Sequence, residues 1–214
     1  MVIEGLGVRH APRWILQGFD LRMKAGEKVV LAGPSGSGKS TLLQAILGLV
    51  VPQKGTIHVC GQPVDGVGVW EARRRLAYVA QEPDLGAGTV REMLEQPLTY
   101  KANAACRGHL SRVPVLMRRF HLPEALLDKE CASLSGGEKQ RFALISALLL
   151  DRPVMLLDEA MSALDRDNRQ AVAAYFDEVG DRTVLAVAHD GDWPGFSRRV
   201  LRVSGATATG VDPA

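Results

Sequence analysis

Four apolar residues, Val29-Val30-Leu31-Ala32, run without a break into Gly33-Pro34-Ser35-Gly36-Ser37-Gly38-Lys39-Ser40, and over 41–49 apolar side chains recur at helical spacing. A short unbroken apolar run marks a strand buried on both faces, as in parallel sheets covered by helices. Glycines let the loop's backbone N–H groups approach an anion without side-chain clash, and a helix N-terminus adds positive potential at the same point. A strand that turns through such a loop into a helix predicts a phosphate cradle at one end of a parallel sheet.

The rest of the chain repeats the theme. Residues 2–31 read as strands with a turn at 24–27, and 56–60 and 76–79 as two more, with a short helix over 71–75 and a loop over 81–88. Val154-Met155-Leu156-Leu157 and Val184-Leu185-Ala186-Val187 are further buried-strand runs, while 137–150 and 167–179 read as helices. Residues 89–133 are helical in character but broken by Pro97, Pro114 and Pro123, which predicts a small helical insertion. Strands alternating with helices predict an α/β fold with a largely parallel sheet. A chain of 214 residues suits one domain. Its expected extent is 1–204, with a helical subdomain at about 89–134 and a tail, 205–214, that frays.

Composition narrows the function. With 26 Lys+Arg against 24 Asp+Glu the formal charge is +2, which offers no nucleic-acid or acidic-lipid footprint. Cys60, Cys106 and Cys131 lack metal-ligand spacing and read as reduced thiols. The opening residues carry no secretory signal, and the longest apolar stretch, 142–150, is about half of a bilayer span. A soluble protein is expected, reaching a membrane only through a partner.

The chemistry begins at the glycine loop, which in this strand-to-helix context is a P-loop. Lys39 is placed to reach the β- and γ-phosphates of a nucleotide, and the Ser40 hydroxyl to ligate Mg²⁺. Asp158 closes the run 154–157 at the C-terminal edge of a sheet, where ligands of open α/β sheets sit, and suits a Mg²⁺-holding role. Glu159 points to a different side and suits the orientation or deprotonation of an attacking water. A second glycine-rich stretch, Leu134-Ser135-Gly136-Gly137-Glu138, opens a helix. Alone it reads as a helix capped by Ser135, with a second anion site as the alternative.

The P-loop, Ser133-Leu134-Ser135-Gly136-Gly137-Glu138-Lys139-Gln140-Arg141 and Leu156-Leu157-Asp158-Glu159 together resemble the ATP-binding-cassette (ABC) ATPase family. Its other marks occur in order. Gln81 in Tyr78-Val79-Ala80-Gln81-Glu82-Pro83 resembles the Q-loop glutamine, Ser162-Ala163-Leu164-Asp165 the D-loop, and His189 in Val187-Ala188-His189-Asp190 the switch histidine. The resemblance implies a P-loop core with an N-terminal antiparallel β subdomain, and a head-to-tail dimer with two ATP molecules between the P-loop and the signature, the stretch 133–141. It implies nucleotide contacts from Gly33, Pro34, Ser35, Gly36, Ser37, Gly38, Lys39, Ser40, Thr41, Gln81, Asp158, Asp165 and His189. Ser135, Gly136 and Gly137 would complete the site on the opposite subunit. Catalysis would fall to Glu159, His189, Lys39 and Gln81, and Mg²⁺ to Ser40, Gln81 and Asp158. The family usually stacks an aromatic residue on adenine; by spacing His10 falls there, with Trp14 as the alternative.

The span from Gln81 to Ser135 is too short for the coiled-coil chromosome and repair ATPases, and a single cassette differs from the paired cassettes of translation-factor relatives. The expectation is an ATP-hydrolysing transporter subunit, cytoplasmic and peripheral on the inner face of the cell membrane. Its partners would be a second copy and a separately encoded polytopic permease, with no nucleic acid. A soluble cassette acting on nucleic acid or ribosomes is the alternative. Phe120-His121-Leu122-Pro123-Glu124-Ala125-Leu126-Leu127-Asp128-Lys129, its spacing to the signature, and His189-Asp190-Gly191-Asp192 resemble the FetA (YbbL-like) group of small cassettes. That likeness implies iron or metal efflux with a FetB-type membrane partner.

Overall fold

The chain starts with β1 (Val2–His10), β2 (Arg13–Arg22) and β3 (Lys28–Ala32), then α1 (Lys39–Ile46), β4 (Lys54–Val59), β5 (Gln62–Pro63), α2 (Gly68–Arg73) and β6 (Leu76–Val79). The helices α3 (Val90–Thr99), α4 (Val113–Arg119) and α5 (Gly136–Leu149) follow, and then β7 (Val154–Asp158), α6 (Arg166–Glu178), β8 (Thr183–Ala188), β9 (Arg199–Ser204) and β10 (Thr207–Val211). These elements come from a computed structural model that describes residues 1–188, 196, 197, 199–204 and 207–211.

Two sheets result. One is antiparallel, in the order β2-β1-β4-β5; the other runs β10-β9-β3-β8-β7-β6, parallel except where β10 turns back on β9. Parallel neighbours need crossovers, and the helices that supply them cover the second sheet on both faces. Alternation along each strand decides which core a side chain joins. Val29, Leu31, Val154, Leu156, Leu185 and Val187 pack toward α1 and the antiparallel sheet. Val30, Met155, Leu157, Val184 and Ala186 pack toward α5, α6 and the helical insertion. Each fully buried aliphatic side chain contributes about 1.5–3 kcal/mol, and β7 accordingly carries no polar residue before Asp158.

Several boundaries differ from the sequence expectation. α1 ends at Ile46, because Gly48 at φ 67° turns the chain and leaves Leu49 65% exposed. Pro97 lies inside α3 rather than breaking it, and Pro114 sits in the first turn of α4, where a missing N–H has no partner to lose. A 3₁₀ segment, Lys101–Arg112, joins the two helices. The tail does not simply fray, since β10 pairs with β9 along Thr207–Val211.

The helical insertion enters and leaves at one point. Val90 N donates to Lys129 O (3.0 Å) and Cys131 N to Gly88 O (2.9 Å), while Thr89 and Glu92 form a capping box at the start of α3. Its far end caps α5: Cys106 Sγ lies 3.3 Å from Leu150 O and His109 Nδ1 2.9 Å from Leu149 O, at carbonyls that a helix end leaves without partners.

Candidate active site

The loop 33–40 leaves β3 at the C-terminal edge of the parallel sheet. Gly33 has φ 153° and Gly38 φ 100°. A Cβ at Gly33 would stand 2.3 Å from Val203 O, and one at Gly38 3.0 Å from Leu16 Cδ2, so both positions admit only glycine. Lys39 is 5% exposed and donates from Nζ to Gly33 O (2.7 Å) and Pro34 O (2.9 Å), which holds its ammonium inside the loop. Ser37 Oγ is buried with no hydrogen-bond partner among the described residues. A buried cation beside an orphaned hydroxyl fits an anion such as a nucleotide phosphate. Pro34, Ser35, Gly36 and Ser40 line the open side of the loop, and Thr41 is half-buried in α1.

Parity places Asp158. It continues the set Val154, Leu156 and so faces α1, where Ser40 Oγ approaches Oδ1 at 3.5 Å. Tyr78 donates its hydroxyl to Oδ2 at 3.2 Å. Burial pushes the Asp158 carboxyl up, against the Tyr78 hydrogen bond that favours its charged form. The Tyr78 phenol is pushed up to about 12, by burial first and then by the Asp158 charge. A hydroxyl, a carboxylate and a neighbouring amide are hard oxygen donors of the kind Mg²⁺ takes.

Glu159 turns away from that axis. Its φ of 48° is a left-handed conformation, of order 1–3 kcal/mol unfavourable for a residue with a Cβ. Glu159 N donates to Val187 O (3.2 Å), and Gln81 Nε2 donates to Glu159 Oε2 (2.8 Å). Lys39, Ser40, Gln81, Asp158 and Glu159 thus gather at one sheet edge. His189 lies outside the described residues, as do Asp190, Gly191 and Asp192.

The signature segment stands apart from this group. Ser135 caps α5, accepting from Glu138 N (3.3 Å) and donating to Glu138 Oε2 (2.9 Å). Gly136 is exposed with no atom within 4 Å of a built Cβ, whereas a Cβ on Gly137 would stand 3.2 Å from Ala163 O of the D-loop. No hydrogen bond among the described residues ties Ser135, Gly136 or Gly137 to the loop 33–40. Asp165 caps α6, accepting from Asn168 N (2.8 Å) and Nδ2 (2.7 Å). With its amide N–H given to the carboxylate, Asn168 Oδ1 can only accept, so the His121 Nδ1 at 3.2 Å carries the proton. This link between the D-loop and the helical insertion, and the Tyr78–Asp158 bond, were not foreseen in the sequence.

At the hairpin tip His10 is exposed, cross-strand from Arg13. Trp14 is half-buried, with the Arg9 guanidinium 5.8 Å and the Lys54 ammonium 5.4 Å from its ring centre. The indole is therefore already engaged by cations.

The family model described as ABC transporter matches residues 16–162. The chain is 35% identical over 209 residues to the "Probable iron export ATP-binding protein FetA" of Escherichia coli, covering 93% of this chain and 88% of that one. It is 37% identical over 186 residues to the ATP-dependent permease MDL1 of Candida albicans, covering 82% of this chain but only 27% of the relative. Two other matched transporters are likewise spanned over only 13% and 34% of their length. Among solved structures, a dimeric ATP-binding cassette in a post-hydrolysis state with ADP and Pi superposes with a TM-score of 0.79 at 26% identity, covering 98% of this chain and 97% of that one. Motifs, fold and relatives agree, and the chain belongs to the ABC transporter family as an ATP-hydrolysing, ATP-binding cassette.

Proposed function

We propose that this cassette works as a head-to-tail pair that powers a membrane permease carried on a separate polypeptide, with iron or another metal ion as the exported substrate. The observation that carries the catalytic part is the gathering of Lys39, Ser40 and Asp158 beside the Gln81–Glu159 pair at one sheet edge. Similarity to the FetA relative over most of both chains supports the separate permease and the metal substrate. Among the described residues no helix is long and apolar enough to cross a membrane. A groove of about 310 Å³ beside the Q-loop, lined by Val79, Ala80, Pro83, Leu85, Met93 and Ala147, is the proposed seat for the permease's coupling segment.

In the proposed mechanism the loop amides and Lys39 Nζ bind the phosphates of ATP, the ammonium exchanging Gly33 O and Pro34 O for phosphate oxygens. Ser40, Asp158 and Gln81 would hold Mg²⁺, which would supply positive charge against the β- and γ-phosphates. Gln81 orients the Glu159 carboxylate, which takes a proton from the water that attacks the γ-phosphorus as the bond to the β–γ bridging oxygen breaks and ADP leaves. Ser135 and the Gly136–Gly137 amides of the second copy close over the γ-phosphate, and His189 assists from this copy. His10 stacks on adenine. Asp165, joined to His121 through Asn168, carries D-loop movement into the helical insertion. Residues 1–204 act as one domain, with 89–134 as its lever.

The deciding experiment is Glu159→Gln. Turnover is lost, nucleotide affinity persists, and an ATP-bound dimer accumulates in light scattering. Wild-type hydrolysis by this variant would remove Glu159 from the base role. Metal accumulation on deleting the cassette, together with co-purification of a polytopic membrane protein, tests the transport assignment.

A further inference from the structure

Asp158 offers two carboxylate oxygens, and the structure divides them. Oδ1 faces Ser40 at 3.5 Å, the side on which the P-loop lies, while Oδ2 accepts from the Tyr78 hydroxyl at 3.2 Å. The division follows from strand geometry. Tyr78 pairs with Leu156 in the parallel β6–β7 ladder, so Asp158 stands two residues further along on the same face. Bridging that diagonal takes a long side chain with a donor at its tip. Tyr78 is 40% exposed, so burial of its ring does not by itself account for its place. Its hydroxyl is directed at the carboxylate.

We propose that Tyr78 is a positioning residue for the Mg²⁺ site: by holding Oδ2 it fixes the rotation of the Asp158 carboxylate and keeps Oδ1 turned toward Ser40. The proposal rests on the reading of Ser40 and Asp158 as a metal-holding pair. Preorganisation of this kind affects metal binding, because an unrestrained carboxylate must be ordered when the ion arrives. It leaves the P-loop's hold on the nucleotide unchanged, since Tyr78 has no hydrogen bond to residues 33–40.

The test is Tyr78→Phe in the full chain, which keeps the ring and removes one oxygen. Mn²⁺ binding is followed by the loss of its free-ion spectrum in electron paramagnetic resonance, with a non-hydrolysable ATP analogue present. Mn²⁺ affinity is expected to weaken about fivefold, the factor that one net hydrogen bond is worth at a partly exposed site. Metal-free nucleotide affinity should stay at the wild-type value, and the metal-free melting midpoint should fall by no more than the few degrees that one lost hydrogen bond accounts for. Asp158→Asn serves as the reference. If it weakens Mn²⁺ binding and Tyr78→Phe does not, the Tyr78 role is wrong while the site stands. If Asp158→Asn leaves Mn²⁺ binding unchanged, the metal-holding pair is wrong and the Tyr78 role falls with it. In the double variant the Tyr78→Phe loss should vanish; full additivity of the two losses overturns the proposal.

Discussion

Alanine at Gly136 distinguishes a merely capped helix from a site completed by another molecule, because it moves stability and turnover in opposite directions. Gly136 is the first residue of α5, its φ lies outside the left-handed region, and a built Cβ meets no heavy atom within 4 Å. Nothing among the described residues requires glycine there. Restricting the unfolded chain makes Gly136→Ala stabilising by about 0.4–1 kcal/mol. At about 2–4 °C per kcal/mol for a domain of this size, the nucleotide-free melting midpoint rises by about 1–4 °C. If the partner copy's nucleotide lies against the Gly136 and Gly137 amides, the new methyl stands where phosphate must come. Steady-state hydrolysis then falls on the order of 10²-fold, the scale of a misplacement of ~1 Å at a reacting group. Gly137 supplies a contrast, since its Cβ would stand 3.2 Å from Ala163 O and the D-loop would have to give by a few tenths of an ångström. The stability gain at 137 therefore shrinks toward zero. Calorimetry without nucleotide, hydrolysis assays, and light scattering of the Gly136→Ala, Glu159→Gln double variant read these consequences. A Gly136→Ala protein that melts higher and hydrolyses ATP at the wild-type rate refutes the trans-acting site; a midpoint that falls refutes the open space on which the reasoning depends.

Two further outcomes follow from single contacts. Lys39→Ala removes the charge held at Gly33 O and Pro34 O, and nucleotide affinity in a fluorescence titration should drop by about 10–100-fold, the worth of a charge-assisted hydrogen bond. Asp151 lies just after α5 and accepts from Arg182, whose side chain is 10% exposed and whose Nε has no partner among the described residues. Burial pushes the Asp151 carboxyl up, but the Arg182 hydrogen bond and the charges of Arg182 and Arg112 outweigh it and leave it below its ordinary 3.8. A depressed carboxylate stabilises above its unfolded value and loses that contribution as pH falls through the folded one. Asp151→Asn should therefore cost about 1 kcal/mol in denaturant melts near pH 7, the half-exposed carboxylate being screened by solvent, and its deficit against wild type should persist to about pH 4 and close only in stronger acid.

What was legible in the sequence and what was not divide along one physical line. The loop 33–40 is readable because its strand, glycines and helix are contiguous, and each residue's role is set by neighbours a few positions away. Asp158 is readable for the same reason, as the first carboxylate after an apolar run. Helix ends fail where one glycine decides them, as Gly48 does at the end of α1. The contacts that turn these motifs into a site join distant positions: Gln81 to Glu159, Tyr78 to Asp158, and His121 through Asn168 to Asp165. The first two depend on β6 lying beside β7 in one register, with Tyr78 opposite Leu156. A one-residue slip would turn Tyr78 to the other face, toward α5, and leave Asp158 Oδ2 without its donor. No local pattern specifies that neighbour order, because both strands read simply as apolar runs. The motifs therefore name the chemistry, while strand register decides which side chains share it, and Tyr78 belongs to the site through register alone.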